Sequence, residues 1–180
     1  MTAALYTPEL LNEVNHTHRG IGAVGPRALV PRVVQNMGAL LTAPTILDFG
    51  AGPQAYHTQG LRMLGFNATA WDVGGNFVEG VHDPHALERT YDIVMASNVL
   101  NVQPNLAILH AVIRELFHLV APGGVLVCNY PESPRRIPVK RAAIKELLES
   151  RFRYVEDIAG YPGVLACYKR RYKEEVCNDG

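Results

Sequence analysis

Cysteine, long apolar runs and net charge are all scarce in this sequence, and each shortage removes a class of function. The three cysteines, Cys128, Cys167 and Cys177, are an odd count with no CxxC pair. Two of them lie in apolar, strand-like runs, so buried reduced thiols are the expectation, which suits a reducing compartment. No apolar run reaches the roughly 18–20 residues that cross a bilayer. Met1–Leu11 is short, polar and uncharged at its start, so no secretory leader is expected and the location read from it is cytoplasmic. With 17 Lys/Arg against 17 Asp/Glu, the net charge is zero and overall charge predicts no polyanion partner. The distribution is uneven: residues 1–130 hold 6 Lys/Arg against 9 Asp/Glu, and residues 131–180 hold 11 against 8. Neither an internal repeat nor a low-complexity segment is present.

What is present fits one soluble domain. At 180 residues the chain can bury a genuine core, and its 48% apolar and 19% charged fractions are ordinary. From Thr45 onward strand and helix signals alternate, which predicts an α/β fold: a Rossmann-like, open, mostly parallel sheet with helices on both faces. Strands are expected at Thr45–Phe49, Asn67–Val73, Tyr91–Ser97 and Val125–Tyr130. Helices are expected at Gln54–Leu64, Pro104–Val120 and Val139–Ser150, where apolar residues recur at helical spacing. Ala121-Pro122-Gly123-Gly124 reads as a tight turn. Arg153–Ile158 and Gly163–Lys169 flank Gly160-Tyr161-Pro162 and read as a C-terminal antiparallel hairpin. Residues 1–44 read as an N-terminal helical lid, with helices around Pro8–Asn15 and Arg27–Leu41 and glycines between them. Residues 45–170 would form the core and 171–180 a tail.

Two motifs carry chemistry. Ile46-Leu47-Asp48-Phe49-Gly50-Ala51-Gly52-Pro53 ends the first strand, where open α/β sheets bind ligands at the carboxyl ends of their strands. Glycines there let the backbone approach a ligand without a Cβ in the way. Asp48 would orient a ligand ammonium group or fix the turn. Trp71-Asp72-Val73 ends the second strand, with Asp72 twenty residues beyond Gly52. A carboxylate at that offset accepts both hydrogen bonds of a ribose diol. Gly20-Ile21-Gly22-Ala23-Val24-Gly25 matches GxGxxG by letter, but no strand precedes it and Pro26 follows, so it reads as part of the lid. His82 and His85 flank Asp83, but close spacing alone is common and no fourth ligand is evident, so no metal is expected.

The runs ILDFGAGP, TAWDV, YDIVMASNVLNV and LVAPGGVLVCNYP together resemble the class I S-adenosylmethionine-dependent methyltransferases over residues 45–170. The resemblance implies that S-adenosylmethionine is the cofactor. It places Gly50 and Gly52 beneath the methionine and ribose, and Asp72 on the ribose hydroxyls. The backbone around Ser97 and Asn98 would border the methyl group. One departure is visible: only 18 residues separate Asp72 from Tyr91, where the family fits a helix, a strand and another helix. A compressed version keeps a short strand at Phe77–His82 and sets Asp83 near the adenine amino group.

For the acceptor the residues say less. Methyl transfer from a sulfonium is an in-line displacement, so alignment is the main task. Asn98 and Asn101 are the acceptor-side candidates, because an amide carbonyl polarises an amino group without ionising. No Asp/Asn-Pro-Pro-Tyr follows the fourth strand of the family pattern; Asn129-Tyr130-Pro131 is similar but follows the fifth and lacks the second proline. Nucleic acid is the expected acceptor, held at Tyr130 and by Arg135, Arg136, Lys140 and Arg141 together with Arg19, Arg27 and Arg32 of the lid. Sequence specificity would then come from the lid, a dimer partner or another subunit. The alternatives are a small metabolite beneath the lid, with His16 or His18 as base, and a non-catalytic, cofactor-binding regulatory subunit.

Overall fold

The computed structural model describes residues 28–132 and 137–170. Six strands form one sheet: β1 (Thr45–Phe49), β2 (Asn67–Trp71), β3 (Tyr91–Ala96), β4 (Val120–Asn129), β5 (Tyr154–Asp157) and β6 (Val164–Tyr168), in the order β2-β1-β3-β4-β6-β5. The first four run parallel, and β6 is antiparallel to both β4 and β5. The expected open sheet with a terminal hairpin is therefore the one found.

Among the described residues, four helices cover the two faces: α1 (Leu29–Gly38), α2 (Tyr56–Met63), α3 (Leu106–Leu119) and α4 (Arg141–Glu149). Side chains alternate across a strand, and the central strands are apolar on both sides. Leu47, Val94, Leu126 and Leu165 pack with Leu109, Ile113 and Leu116 of α3 and Ile144 and Leu148 of α4. Ile46, Ile93, Val127 and Val164 pack on the other face with Val30, Val33 and Val34 of α1 and Leu61 of α2. A parallel sheet buried on both faces needs such uninterrupted apolar strands.

The differences from expectation have local causes. The helix expected from Gln54 begins at Tyr56, because Ala55 adopts a left-handed conformation (φ 46°) that helical backbone excludes. Pro104 lies outside α3; Asn105 caps it, its side chain accepting from the Ile108 amide at 3.0 Å. Strand β4 starts at Val120, and the expected Ala-Pro-Gly-Gly turn lies within its span as an irregularity. Tyr91 pairs Val120, but Ile93 pairs Val125. The helix of residues 29–38 lies in the core layer on β3 and β4 rather than over the binding edge. The remainder of the expected lid, residues 1–27, and the tail, 171–180, lie outside the described residues.

The compressed segment forms no strand at Phe77–His82. Only an isolated bridge, Glu79 to His82, and two short 3₁₀ turns, Gly74–Asn76 and Ala86–Glu88, occupy it. Eighteen residues are too few to lay down a parallel strand and return, since each parallel crossover itself takes a dozen residues. β2 is consequently an edge strand. Its outer carbonyls are met by Arg62 Nε on Ala68 O (2.8 Å) and the Asp83 amide on Ala70 O (3.0 Å).

Candidate active site

The carboxyl ends of β1, β2 and β3 converge on the turn from Gly50 to Ala55. Gly50 and Gly52 both hold left-handed backbone, at φ 80° and 72°, which glycine adopts without steric cost. The amides of Gly50 and Ala51 both donate to Trp71 O, at 2.9 and 3.0 Å, which fastens the turn to β2. A Cβ on Gly50 would lie 2.7 Å from Val99 Cγ2, whereas one on Gly52 would meet nothing within 4 Å. One glycine therefore packs against the segment after β3, and the other presents bare backbone to open space.

Asp72, 4% exposed, stands beside that open backbone. Its Oδ2 accepts from the Gly52 amide at 2.6 Å, and its Oδ1 accepts from the Val73 amide at 2.7 Å and from Asn76 Nδ2 at 3.3 Å. The carboxylate is thus held in one orientation by donors from three positions. Asn76, itself buried, was not visible as a site residue, because its neighbours carry no periodic pattern.

Asp48 serves the other side of the turn. Its Oδ2 accepts from the Thr58 hydroxyl at 2.8 Å, and the Thr58 amide also donates to it. This satisfies the first turn of α2, whose N-cap residue, Ala55, offers no side-chain bond. Burial above all, helped by the nearby charge of Asp72, holds the Asp48 carboxyl up at about 7 against the lowering effect of Thr58.

His82, 4% exposed, closes the constellation. Its Nδ1 accepts from the Val78 amide at 2.9 Å, shorter than the alternative contact of 3.3 Å with Val78 O. That leaves the proton on Nε2, which donates to Gly52 O at 3.0 Å. Asp83, the next residue, bonds the His85 amide at 2.8 Å through Oδ1 and pairs with Arg89 through Oδ2. Its carboxyl lies below its ordinary range: burial is the largest single influence and raises it, but the His85 amide and Arg89 together outweigh it. His85 turns away to Glu88, at 3.0 Å.

Ser97 and Asn98 follow β3, both half-buried. Asn98 is left-handed (φ 57°), a conformation Asn tolerates. Its amide donates to Asn129 Oδ1 at 2.6 Å, and Asn129 Nδ2 returns a bond to Asn98 Oδ1 at 2.8 Å. This reciprocal pair locks the end of β3 to the end of β4. Farther along the turn, Gln103 Nε2 donates to Val99 O at 2.7 Å. Among the described residues, the buried side-chain oxygens without a hydrogen-bond partner are Asn101 Oδ1 and Gln103 Oε1. Both lie on the segment whose Val99 presses on Gly50.

Other expected site residues stand elsewhere. Tyr130 is 1% exposed, packed in the core below α3 and α4, with its hydroxyl donating to Val139 O at 3.1 Å. Arg141 is paired with Asp157 and Glu132, and Arg32 lies over the Tyr161 ring. His16, His18, Arg19, Arg27, Arg135, Arg136 and the Gly20–Gly25 run lie outside the described residues.

A sequence profile describing a methyltransferase domain matches residues 24–163, which takes in every strand but β6 and the whole glycine turn. The chain belongs to this methyltransferase-domain family. The class I S-adenosylmethionine-dependent family expected from the motifs is thus the one found. No curated protein matches the methyltransferase in sequence. Solved structures share its fold at low identity. A 1,6-didemethyltoxoflavin-N1-methyltransferase from Burkholderia thailandensis, with its substrate and S-adenosylhomocysteine bound, is 18% identical with a TM-score of 0.62, over 93% of this chain and 88% of that one. A sugar N-methyltransferase from Streptoalloteichus is 14% identical with a TM-score of 0.63, over 89% and 93%. An O-methyltransferase family protein from Burkholderia thailandensis is 19% identical with a TM-score of 0.58; the match covers 80% of this methyltransferase but 57% of that longer chain. No helix among the described residues is long and apolar enough to cross a membrane.

Proposed function

We propose that the chain binds S-adenosylmethionine at the turn from Gly50 to Gly52 and moves its methyl group to an amine or hydroxyl of a small acceptor. The observation that carries this reading is the pairing of Gly52, whose left-handed backbone faces open space, with the buried, oriented carboxylate of Asp72. Bare backbone accepts the donor's methionine and ribose closely, and a fixed carboxylate takes the ribose diol. The donor supplies an electrophilic methyl on a sulfonium. The chain's own work is alignment. Gly50 and Gly52 form the floor, Asp72 holds the ribose, and the segment carrying Asp83 walls the adenine side. Ser97 and Asn98, the latter fixed by Asn129, border the transferred methyl.

For the acceptor, the supporting observation is the pair of unpartnered oxygens, Asn101 Oδ1 and Gln103 Oε1. A buried acceptor without a donor costs about 1–3 kcal/mol, which an N–H or O–H on a ligand relieves. A small acceptor is favoured over nucleic acid because the described arginines proposed for phosphate, Arg141 and Arg32, are engaged within the protein. The methyltransferases of known substrate named above act on a small heterocycle and a sugar, which agrees with that choice.

Thermal unfolding with S-adenosylhomocysteine tests the donor half, since ligand at a hundredfold over Kd adds about 2.7 kcal/mol of stability. Wild type is expected to be stabilised and Asp72→Ala to lose at least tenfold in affinity. No stabilisation at saturating ligand, with Asp72→Ala like wild type, refutes the reading. Radiolabelled transfer to amines, sugars, DNA and RNA tests the acceptor half. Labelled nucleic acid, with retention on it that weakens as salt rises, would replace the small acceptor.

A further inference from the structure

The Gly52 peptide is gripped on both sides. Its N–H donates to Asp72 at 2.6 Å, and its carbonyl accepts from the Ala55 amide at 3.0 Å and from His82 Nε2 at 3.0 Å. With those two bonds both carbonyl lone pairs are used. Two of the three partners are buried side chains carried by the end of β2 and the segment after it. The ring of His82 is in turn held by the Val78 amide on Nδ1 and lies 5.6 Å from the Phe77 ring. Its orientation is therefore set from two directions before any ligand arrives.

We infer that His82 is a positioning residue for the methyl donor: its Nε2–H fixes the Gly52 carbonyl, and through it the backbone and Asp72 carboxylate that meet the donor. This rests on the donor-binding reading of the turn. The physical reason is the freedom of glycine. A left-handed Gly52 with nothing packed against it has no side chain to hold it, and hydrogen bonds to its own peptide are the means left to pre-organise it. Of the two bonds on the Gly52 carbonyl, His82 supplies the one that comes from outside the turn. It also explains how a segment without a strand still shapes the site, since a single imidazole spans from Val78 to Gly52.

His82→Gln and His82→Asn separate this from a general structural role. The longer amide reaches the Nε2 position and can donate to Gly52 O. The shorter one reaches only the Nδ1 position, where it can keep the Val78 bond. Calorimetric titration with S-adenosylhomocysteine is expected to show His82→Asn weakened about tenfold, as befits one lost hydrogen bond. His82→Gln is expected within about threefold of wild type. In turnover, His82→Asn should raise KM for S-adenosylmethionine with a smaller change in kcat. Equal affinity of His82→Asn and wild type overturns the inference, as does His82→Gln no better than His82→Asn. Failure of wild type to bind overturns the donor-binding reading itself and the inference with it. A measurement without substitution stands beside these: the nitrogen spectrum of the wild-type ring should show the proton on Nε2. A proton found on Nδ1 also overturns the inference.

Discussion

At the scale of single residues, the site is built from groups held before a ligand arrives, and substitutions should expose how. Gly50 leaves no room for a methyl group, since Val99 Cγ2 stands 2.7 Å from where Cβ would be and φ is 80°. Gly50→Ala should cost about 1–3 kcal/mol by left-handed strain and overpacking, read as a lower denaturation midpoint at unchanged slope. Asp48 gives a pH signature. Its carboxyl sits at about 7 in the folded chain against 3.8 otherwise, chiefly from burial. The folded state therefore binds more protons than the unfolded one between those values, and stability falls as pH rises through that window. Asp48→Asn keeps an acceptor for Thr58 and cannot ionise. Its melting temperature should match wild type near pH 4 and exceed it at pH 8, with a slope difference approaching 1.4 kcal/mol per pH unit between. Parallel melting curves across that range would show that Asp48 does not titrate this way.

At the scale of elements, the strands were more legible than their joints. The apolar runs at Thr45–Phe49 and Tyr91–Ala96 carry their own signal, and their ends fell within two residues of the structure. The joints depend on conformations that single residues do not announce. Ala55 and Asn98 are left-handed without being glycine, and the irregularity within β4 exists only because β3 lies alongside. The short strand that the family resemblance implies at Phe77–His82 is absent, because the 18 residues between Asp72 and Tyr91 are too few for the crossover. Within the candidate site, the meeting of Gly50, Gly52 and Asp72 at one turn could be read because motif and spacing reinforce one another. Asn76, His82, Gln103 and Asn129 could not, because their roles arise from contacts across 4 to 31 residues of sequence. The start of α3 allows a direct check: Asn105→Ala removes the bond to the Ile108 amide and should cost about 1 kcal/mol, without changing donor affinity.

At the scale of the whole molecule, the terminal hairpin joins the two cores. Leu165 and Cys167 face the α3/α4 side, and Val164 and Ala166 face the α1/α2 side. Cys128 and Cys167 are fully buried within the first of these, and the Cys167 thiol is held far above its ordinary range by its bond with Cys128 and by burial. In a Cys177→Ser background, thiol reagents should therefore react only as fast as the chain unfolds globally, with a denaturant midpoint equal to that of circular dichroism. Reaction well below that midpoint would mean that the hairpin detaches by itself. The loop from Asp72 to Arg89 links this global picture to the site. It braces the glycine turn through His82 and covers the edge of β2 through the Asp83 amide. Whatever tightens that loop around the proposed nucleoside would also guard the sheet's raw margin against other chains. Keeping the protein monodisperse on the shelf and keeping its site filled become one requirement.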